Sequence, residues 1–434
     1  MKPFELTRRE AIALLGDALS TAAILPAQAP ARDLLRGFLE PPHAAKPWVF
    51  WFWLNGHLSK EGITGDLEAL KKAGIGGVLI MSIAAGVEPG PVRFLTAEWR
   101  DIFRHMVAEA DRLGIEVDMN NDDGWDCGGP WIKPEHAMQK MVWTETRVRG
   151  PGKQTLGLPH PDVVRDYYRE VCVLAFPTPP EEEVRASSRA VAAPGATPCL
   201  ELEFAGVVTV RSMTVSASKD KGKPGDCELL ASEDGREFRA VAKFDTGWRG
   251  PMAAYREITF SLPPVRGRSF RLLLHGAQAP AEQFIFSLNG GERVAYWQLK
   301  TGHTSIREHG GGFHLFGWPD KSQEDTRGAI SRSAIVDLSS RLTASSLLEW
   351  EVPAGNWTIL RIGHTATGKL NGAATKEGSG LDCDKFTRAG VDHHFPGMMA
   401  KLIADNELFI GRSLKWFHND SWEAGCQNWS STFR

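Results

Sequence analysis

The segment His418-Asn419-Asp420-Ser421-Trp422-Glu423 sets an imidazole, an amide, two carboxylic acids and an indole directly after a largely apolar, strand-like run at 414–417. Polar groups that follow a buried strand in this way occupy the rim of a (β/α) barrel, the end from which such folds do chemistry. A carboxyl beside Trp422 and near Trp416 is partly desolvated, which raises its pKa and suits it to proton donation near neutral pH. Glu423 is therefore the candidate catalytic acid. Read without that context, it is an exposed loop glutamate after a buried strand.

The same arrangement recurs upstream. Asn55 and His57 follow the aromatic run 48–53, and Asn120-Asn121-Asp122-Asp123 and Trp125 follow the apolar run 115–119. Trp53, Asn55, Asn120, Trp125, His418, Asn419 and Asp420 make a candidate binding rim, with indoles for the C–H face of a sugar ring and amides and acids for its hydroxyls. Fifteen Trp against four Tyr fits such a use, although any single Trp is equally at home in a core.

Positioning these groups requires a parallel sheet. Ile63, Leu67 and Leu70 repeat at helical spacing up to Gly74, and the continuous apolar stretch 77–81 reads as a buried strand. A second helix follows Thr96, with Ile102, Phe103, Met106, Val107, Ala110 and Leu113 on one face and Gly114 at its end. A third strand then runs through 115–119. Two βα units on short connections predict a (β/α) TIM-like barrel, first over residues 41–145 and again over 296–434. Between them, short β segments separated by turns such as Glu233-Asp234-Gly235 predict an inserted β-sandwich over 146–295. The stretch 227–238 resembles the strand, turn and strand of discoidin-like, galactose-binding-like domains.

Composition narrows the function. A net charge of -3 gives no basic field for nucleic acid. Thr7-Arg8-Arg9-Glu10, the apolar stretch 11–24 and Ala27-Gln28-Ala29 form a twin-arginine-type export signal over 1–29, which predicts a periplasmic or extracellular protein. No other segment has the roughly eighteen apolar residues of a membrane span. Six cysteines show no C-x-x-C spacing, which argues against zinc and assigns no disulfide. There is no G-x-S-x-G or H-E-x-x-H, and the glycines at 74, 76 and 77 precede their strand, the wrong order for a dinucleotide site. His393-His394 reads as a helix pair, and Asp382 and Asp384 as either structural loop acids or site residues.

Several collinear motifs then carry a specific resemblance: Trp51-Phe52-Trp53-Leu54-Asn55-Gly56, the stretch 60–78, Asn120 to Trp125 with Gly128-Gly129-Pro130-Trp131, the stretch 347–365, Gly380-Leu381-Asp382-Cys383-Asp384-Lys385, and 418–429. Together they resemble glycoside hydrolase family 106, the α-L-rhamnosidases. The resemblance implies removal of terminal α-L-rhamnose from a carbohydrate substrate with inversion, by two glutamates, with a calcium ion near the sugar. It makes Glu423 the general acid. The family's second glutamate, the base, lies further along, and no segment before Arg434 matches it. Only about five βα-type strands can be placed where a barrel needs eight, so the sequence reads as an N-terminal portion of a longer enzyme. Asp123, Asp420, Asn120 and Asn121 are chemically suited to calcium, a hard cation, but their spacing fixes no coordination shell. A non-catalytic carbohydrate-binding protein is the alternative reading.

Overall fold

The structure is a computed structural model that describes residues 31–84, 86–179, 189–192, 197–217, 225–244, 257–277, 280–301, 330–421 and 427–433. The candidate export signal, together with Trp422, Glu423 and Cys426, lies outside the described residues. Among those described, no helix is long and apolar enough to cross a membrane.

After helix α1 (Ala31–Leu39) the chain builds β1 (Trp48–Leu54), α2 (Lys60–Lys72), β2 (Gly77–Ile83), α3 (Ala97–Leu113) and β3 (Glu116–Asp123). Local chemistry sets the boundaries. Ser59 accepts the Gly62 N–H to open α2, and Lys71 and Lys72 complement its C-terminal dipole. Thr96 accepts the Trp99 N–H to open α3, and Gly114 closes it in the left-handed region at φ 64°, where a side chain would be strained. Gly77 starts β2 because the Trp48 indole lies where a Cβ would sit, 2.3 Å from Cε2.

These three strands and β16 (Leu414–His418) form one parallel sheet in the order β1-β2-β3-β16. Its helix-facing side packs Trp53, Val78, Ile80, Val117, Met119 and Leu414 against Ile63, Leu67, Trp99, Phe103, Met106 and Val107. Phe103 stacks on Trp99 at 5.5 Å, and Trp53 meets both rings edge-on. On the opposite side of β1, Phe50, Phe52 and Leu54 remain exposed.

Two large antiparallel sheets and one two-stranded pair occupy the long excursion between β3 and β16. The first joins β5 (Gln139–Gly157), β6 (Arg169–Pro177), β13 (Val336–Asp337) and β14 (Leu347–Ala366) in the order β13-β6-β14-β5. The second contains β7 (Arg189–Ala192), β8 (Pro198–Ala217), β9 (Asp226–Ser232), β10 (Arg239–Phe244), β11 (Glu257–His275) and β12 (Phe284–Asn289). Its β8–β11 ladder breaks register between Ser261 and Val265 and again between Gly267 and Ser269, and both halves feed one core around Leu202, Val215, Phe260 and Phe270. The turn expected at 233–235 joins β9 to β10, with Asp234 accepting from Ser232 Oγ and the Arg236 N–H.

The residues around 347–365, expected to resume the barrel, do not join the parallel sheet. Leu347 pairs with Gly157 and Ala366 with Gln139 in one antiparallel ladder. Alternate residues of β14, Leu348, Trp350 and Val352, are buried between exposed neighbours, the half-buried pattern of an antiparallel strand. The parallel sheet therefore has four described strands rather than about five.

Phe103→Ala removes a fully buried ring from the helix–sheet core and is expected to lower stability by about 3–5 kcal/mol. Thr96→Ala, which removes one cap, is expected to cost about 1 kcal/mol. Urea titration followed by tryptophan fluorescence measures both, and equal losses would mean that the Trp53–Trp99–Phe103 cluster is not the centre of this core.

Candidate active site at the ends of β3 and β16

Parallel pairing sets His418 opposite Asn120, so the polar residues after β3 and β16 meet at one edge. Asp420 N–H donates to Asn120 Oδ1 at 3.3 Å, and Ser421 N–H donates to the Trp125 carbonyl at 3.0 Å. Asn120 is fully buried and spends its amide N–H groups on Asp122 Oδ1 (2.9 Å) and the Gly124 carbonyl (2.7 Å). Asn419 and Asp420 are exposed and Trp125 is half-buried. His418 Nδ1–H donates to Asp118 Oδ1 at 2.9 Å, while its Nε2 is buried without a hydrogen-bond partner among the described residues. Asp118 thus orients the imidazole through one of its nitrogens.

Five predicted rim residues, Asn120, Trp125, His418, Asn419 and Asp420, are therefore brought together. Two are not. Trp53 points to the helix side and is only 2% exposed, because odd-numbered residues of β1 face the core and even-numbered ones face away. Asn55, at φ 43°, ties the turn after β1 to the next loop by donating from Nδ2 to the Val87 carbonyl at 2.6 Å. Both are structural in this arrangement.

Beneath the rim lies a buried polar cluster that includes Asp123, read in the sequence as suited to calcium, and Asp382, read there as either a structural loop acid or a site residue. Asp122, Asp123 and Asp382 are fully buried, and Asp126 nearly so. Their partners come from the connection at 367–380 and from Lys385. Asn371 Nδ2 donates to Asp122 Oδ2 (3.3 Å) and to the Asp123 carbonyl (2.8 Å). The Thr375 N–H donates to Asp123 Oδ2 at 2.8 Å, joined by its hydroxyl. Lys369 bridges Asp126 (2.8 Å) and Asp382 (3.1 Å), and Lys385 pairs with Asp382 at 2.5 Å. Both ammonium groups thus pair with Asp126 or Asp382, and burial raises the pKa of Asp122, Asp123 and Asp382, that of Asp123 to about 6. Asp384 holds the chain beyond the candidate acid, accepting from Gln427 Nε2 (2.8 Å) and Ser430 Oγ (2.9 Å). Asp382 and Asp384 therefore act as anchors in this structure.

For calcium the donor chemistry is mixed. Asn121 Oδ1 and Asp123 Oδ1 are buried oxygens without a donor, whereas Asn120 Oδ1 is already engaged by Asp420. Among the described residues the acidic oxygens do not converge in threes. The one group of three metal-type ligands is Cys127, Cys383 and His394.

Sequence comparison places this α/β chain in a family. The chain belongs to glycoside hydrolase family 106 (alpha-L-rhamnosidase), whose family model matches residues 39–434. A solved rhamnosidase from Novosphingobium sp. PP1Y is 28% identical and superposes with a TM-score of 0.76 over 92% of this chain and 40% of its own. A Formosa agariphila protein provisionally named a beta-glucuronidase is 28% identical over 402 residues, 92% of this chain and 25% of its own length. The chain thus spans less than half of either relative.

A raised Asp123 pKa fixes a sign. Between about pH 4 and 6 the folded chain holds a proton that the unfolded chain has released, so metal-free stability is expected to fall as pH rises through this window, by about 3 kcal/mol from Asp123. Asp123→Asn, which keeps an oxygen for Thr375 and cannot ionise, is expected to flatten that fall. Denaturant unfolding at several pH values in chelator tests it, and an unchanged slope would remove Asp123 as the source.

Proposed function

We propose that this chain carries the acid side of an exported glycoside hydrolase that removes terminal α-L-rhamnose with inversion. The observation that supports this most is the way both flanks of the segment holding Glu423 are tied down. Ser421 is bonded to Trp125, and Gln427, Asn428 and Ser430 are bonded to Asp384 and the Met141 N–H. An acid must hold its proton within hydrogen-bond reach of the leaving oxygen, so fixing the backbone on both sides is what that role demands.

In this reading Glu423 protonates the glycosidic oxygen. Trp125 offers an apolar face, the exposed Asn419 and Asp420 take sugar hydroxyls, and His418, oriented by Asp118, lines the rim beside them. The base lies across the ring, roughly 6.5–9.5 Å from the acid so that water fits between them. We assign it to further chain that completes the four parallel strands into a (β/α) barrel. The open sheet face with Phe50, Phe52, Leu54 and Trp416 supports that completion, since exposed apolar surface of this kind needs a cover. Asn121, Asp123 and Asp420 are the residues we assign to calcium, which when bound would orient sugar hydroxyls by direct coordination. The β7–β12 unit is read as galactose-binding-like in architecture.

The test uses the chain extended through the remaining strands. Aryl α-L-rhamnoside is expected to be hydrolysed, with aryl β-glucuronide as the competing substrate suggested by the Formosa relative. Glu423→Gln is expected to slow substrates with poor leaving groups by about 10²- to 10⁴-fold and nitrophenyl substrates less, since these need little protonation. Equal losses on both would make Glu423 a binding or structural residue, and turnover of the glucuronide alone would overturn the rhamnoside assignment.

A further inference from the structure

Behind the rim, Cys127 and Cys383 bring their Sγ atoms to 3.2 Å, both buried. Their backbones are neighbours as well. Two-residue strands β4 (Gly128–Gly129) and β15 (Leu381–Asp382) pair antiparallel, Leu381 with Gly129 and Asp382 with Gly128. One step further along that ladder Cys383 lies opposite Cys127, and its N–H donates to the Cys127 carbonyl at 2.7 Å. Residues directly opposite in an antiparallel pair have Cα atoms about 4.5–5.5 Å apart, inside the range a disulfide spans.

His394 completes a group whose ligand atoms lie within 4.8 Å of one another, so a metal is the rival explanation. Two features disfavour it. Trp131 Nε1–H donates to His394 Nδ1 at 3.1 Å and His394 Nε2–H donates to the Asn121 carbonyl at 2.9 Å, so both ring nitrogens are already engaged. Thiolates on a tetrahedral zinc with bonds of about 2.3 Å also stand roughly 3.8 Å apart, wider than this pair.

We propose that Cys127 and Cys383 form a disulfide that fastens the loop after β3 to the segment after β15, directly beside the buried carboxylates. The oxidant is a disulfide of the glutathione class. The Cys127 thiolate attacks one of its sulfurs, forming a mixed disulfide and expelling one glutathione thiolate. The Cys383 thiolate then attacks the Cys127 sulfur and expels the second. Two protein S–H groups become one S–S bond, and their two protons and two electrons leave with the reduced oxidant. The hydrogen bond with Cys383, and then burial, hold the Cys127 thiol well above its usual pKa, so little thiolate forms at neutral pH and exchange in the folded chain is slow in both directions.

The test uses the whole chain, reduced and then incubated with oxidised glutathione at mildly alkaline pH, unfolded without reductant in the presence of N-ethylmaleimide, and mapped by mass spectrometry of a non-reducing digest. The expected result is one peptide pair linked through Cys127 and Cys383, with Cys172, Cys199, Cys227 and Cys426 alkylated. The thermal midpoint of the oxidised chain is expected to exceed that of the reduced chain by roughly 5–10 °C, a difference absent from the Cys127→Ser/Cys383→Ser double variant. Alkylation of both cysteines after oxidation, or linkage of either to a different cysteine, overturns the proposal. So does retention of one zinc per chain through gel filtration that is lost in His394→Asn. Because the mapping is done on the unaltered chain, a variant that fails to fold leaves the answer intact.

Discussion

The structure turns on one pairing, the parallel contact of β16 with β3, which sets His418 beside Asn120 across about 300 residues of chain. A parallel neighbour cannot be reached by a tight turn, so the chain must leave the sheet, travel, and return in the same direction. Closure entropy rises only slowly with the length of the excursion, which is why two further sheets can be accommodated within it. What has to be controlled is the neck. The β5–β14 ladder closes it by pairing Gln139 with Ala366, so that the stretches 124–138 and 367–413 remain to be threaded back to the edge of β3. His364 Nδ1 bonded to Gln139 Oε1 at 2.9 Å, and the Thr367 N–H bonded to the Met138 carbonyl at 2.7 Å, fasten the same point.

Those two stretches pack against each other, and this accounts for the buried acids. Backbone groups in irregular segments lack regular partners, and side chains must supply them. Asn371 and Asp126 do this across the neck, Asp126 Oδ2 accepting the Gly372 N–H at 2.5 Å as well as Lys369. The arrangement carries an electrostatic cost, since desolvation outweighs the attraction of Lys385 at Asp382 and raises its pKa. A buried network of this kind fixes one geometry for the rim above it, because any slip strands a charge away from water.

Much of the parallel unit was legible from local signals. The α3 periodicity, the caps at Thr96 and Gly114, and the continuous apolar strand β2 all depend on neighbours in sequence. The rim position expected for Trp53 gave way to the core at a point where the sequence held half of the answer. Val49, Trp51 and Trp53 alternate with Phe50 and Phe52, so one set faces the helices, and only the fit of Trp53 against Trp99 shows which. Leu347–Ala366 was misplaced because its aliphatic content suits either kind of strand, and its partner lies some 200 residues earlier. Asp122 and Asp123 look like turn residues until Asn371 and Thr375, about 250 positions away, are folded onto them. Contacts of that range leave no local trace.

The tryptophan excess divides along the same line. Trp53 and Trp99 fill the helix–sheet core, Trp350 and Trp357 meet edge-on in the β5–β14 unit, and Trp131 donates to buried His394. Aromatic count alone therefore overstates the binding surface, since rings committed to packing offer little free face to a sugar. Trp125 differs in being half-buried and in having glycine beneath it: a Cβ at Gly372 would come within 2.9 Å of its Nε1. That close backbone approach crowds the Nε1 edge of the indole. A half-buried indole held by backbone at its edge has little conformational freedom left to lose, whereas the richer aromatic run of β1 divides between the helix–sheet core and the open sheet face.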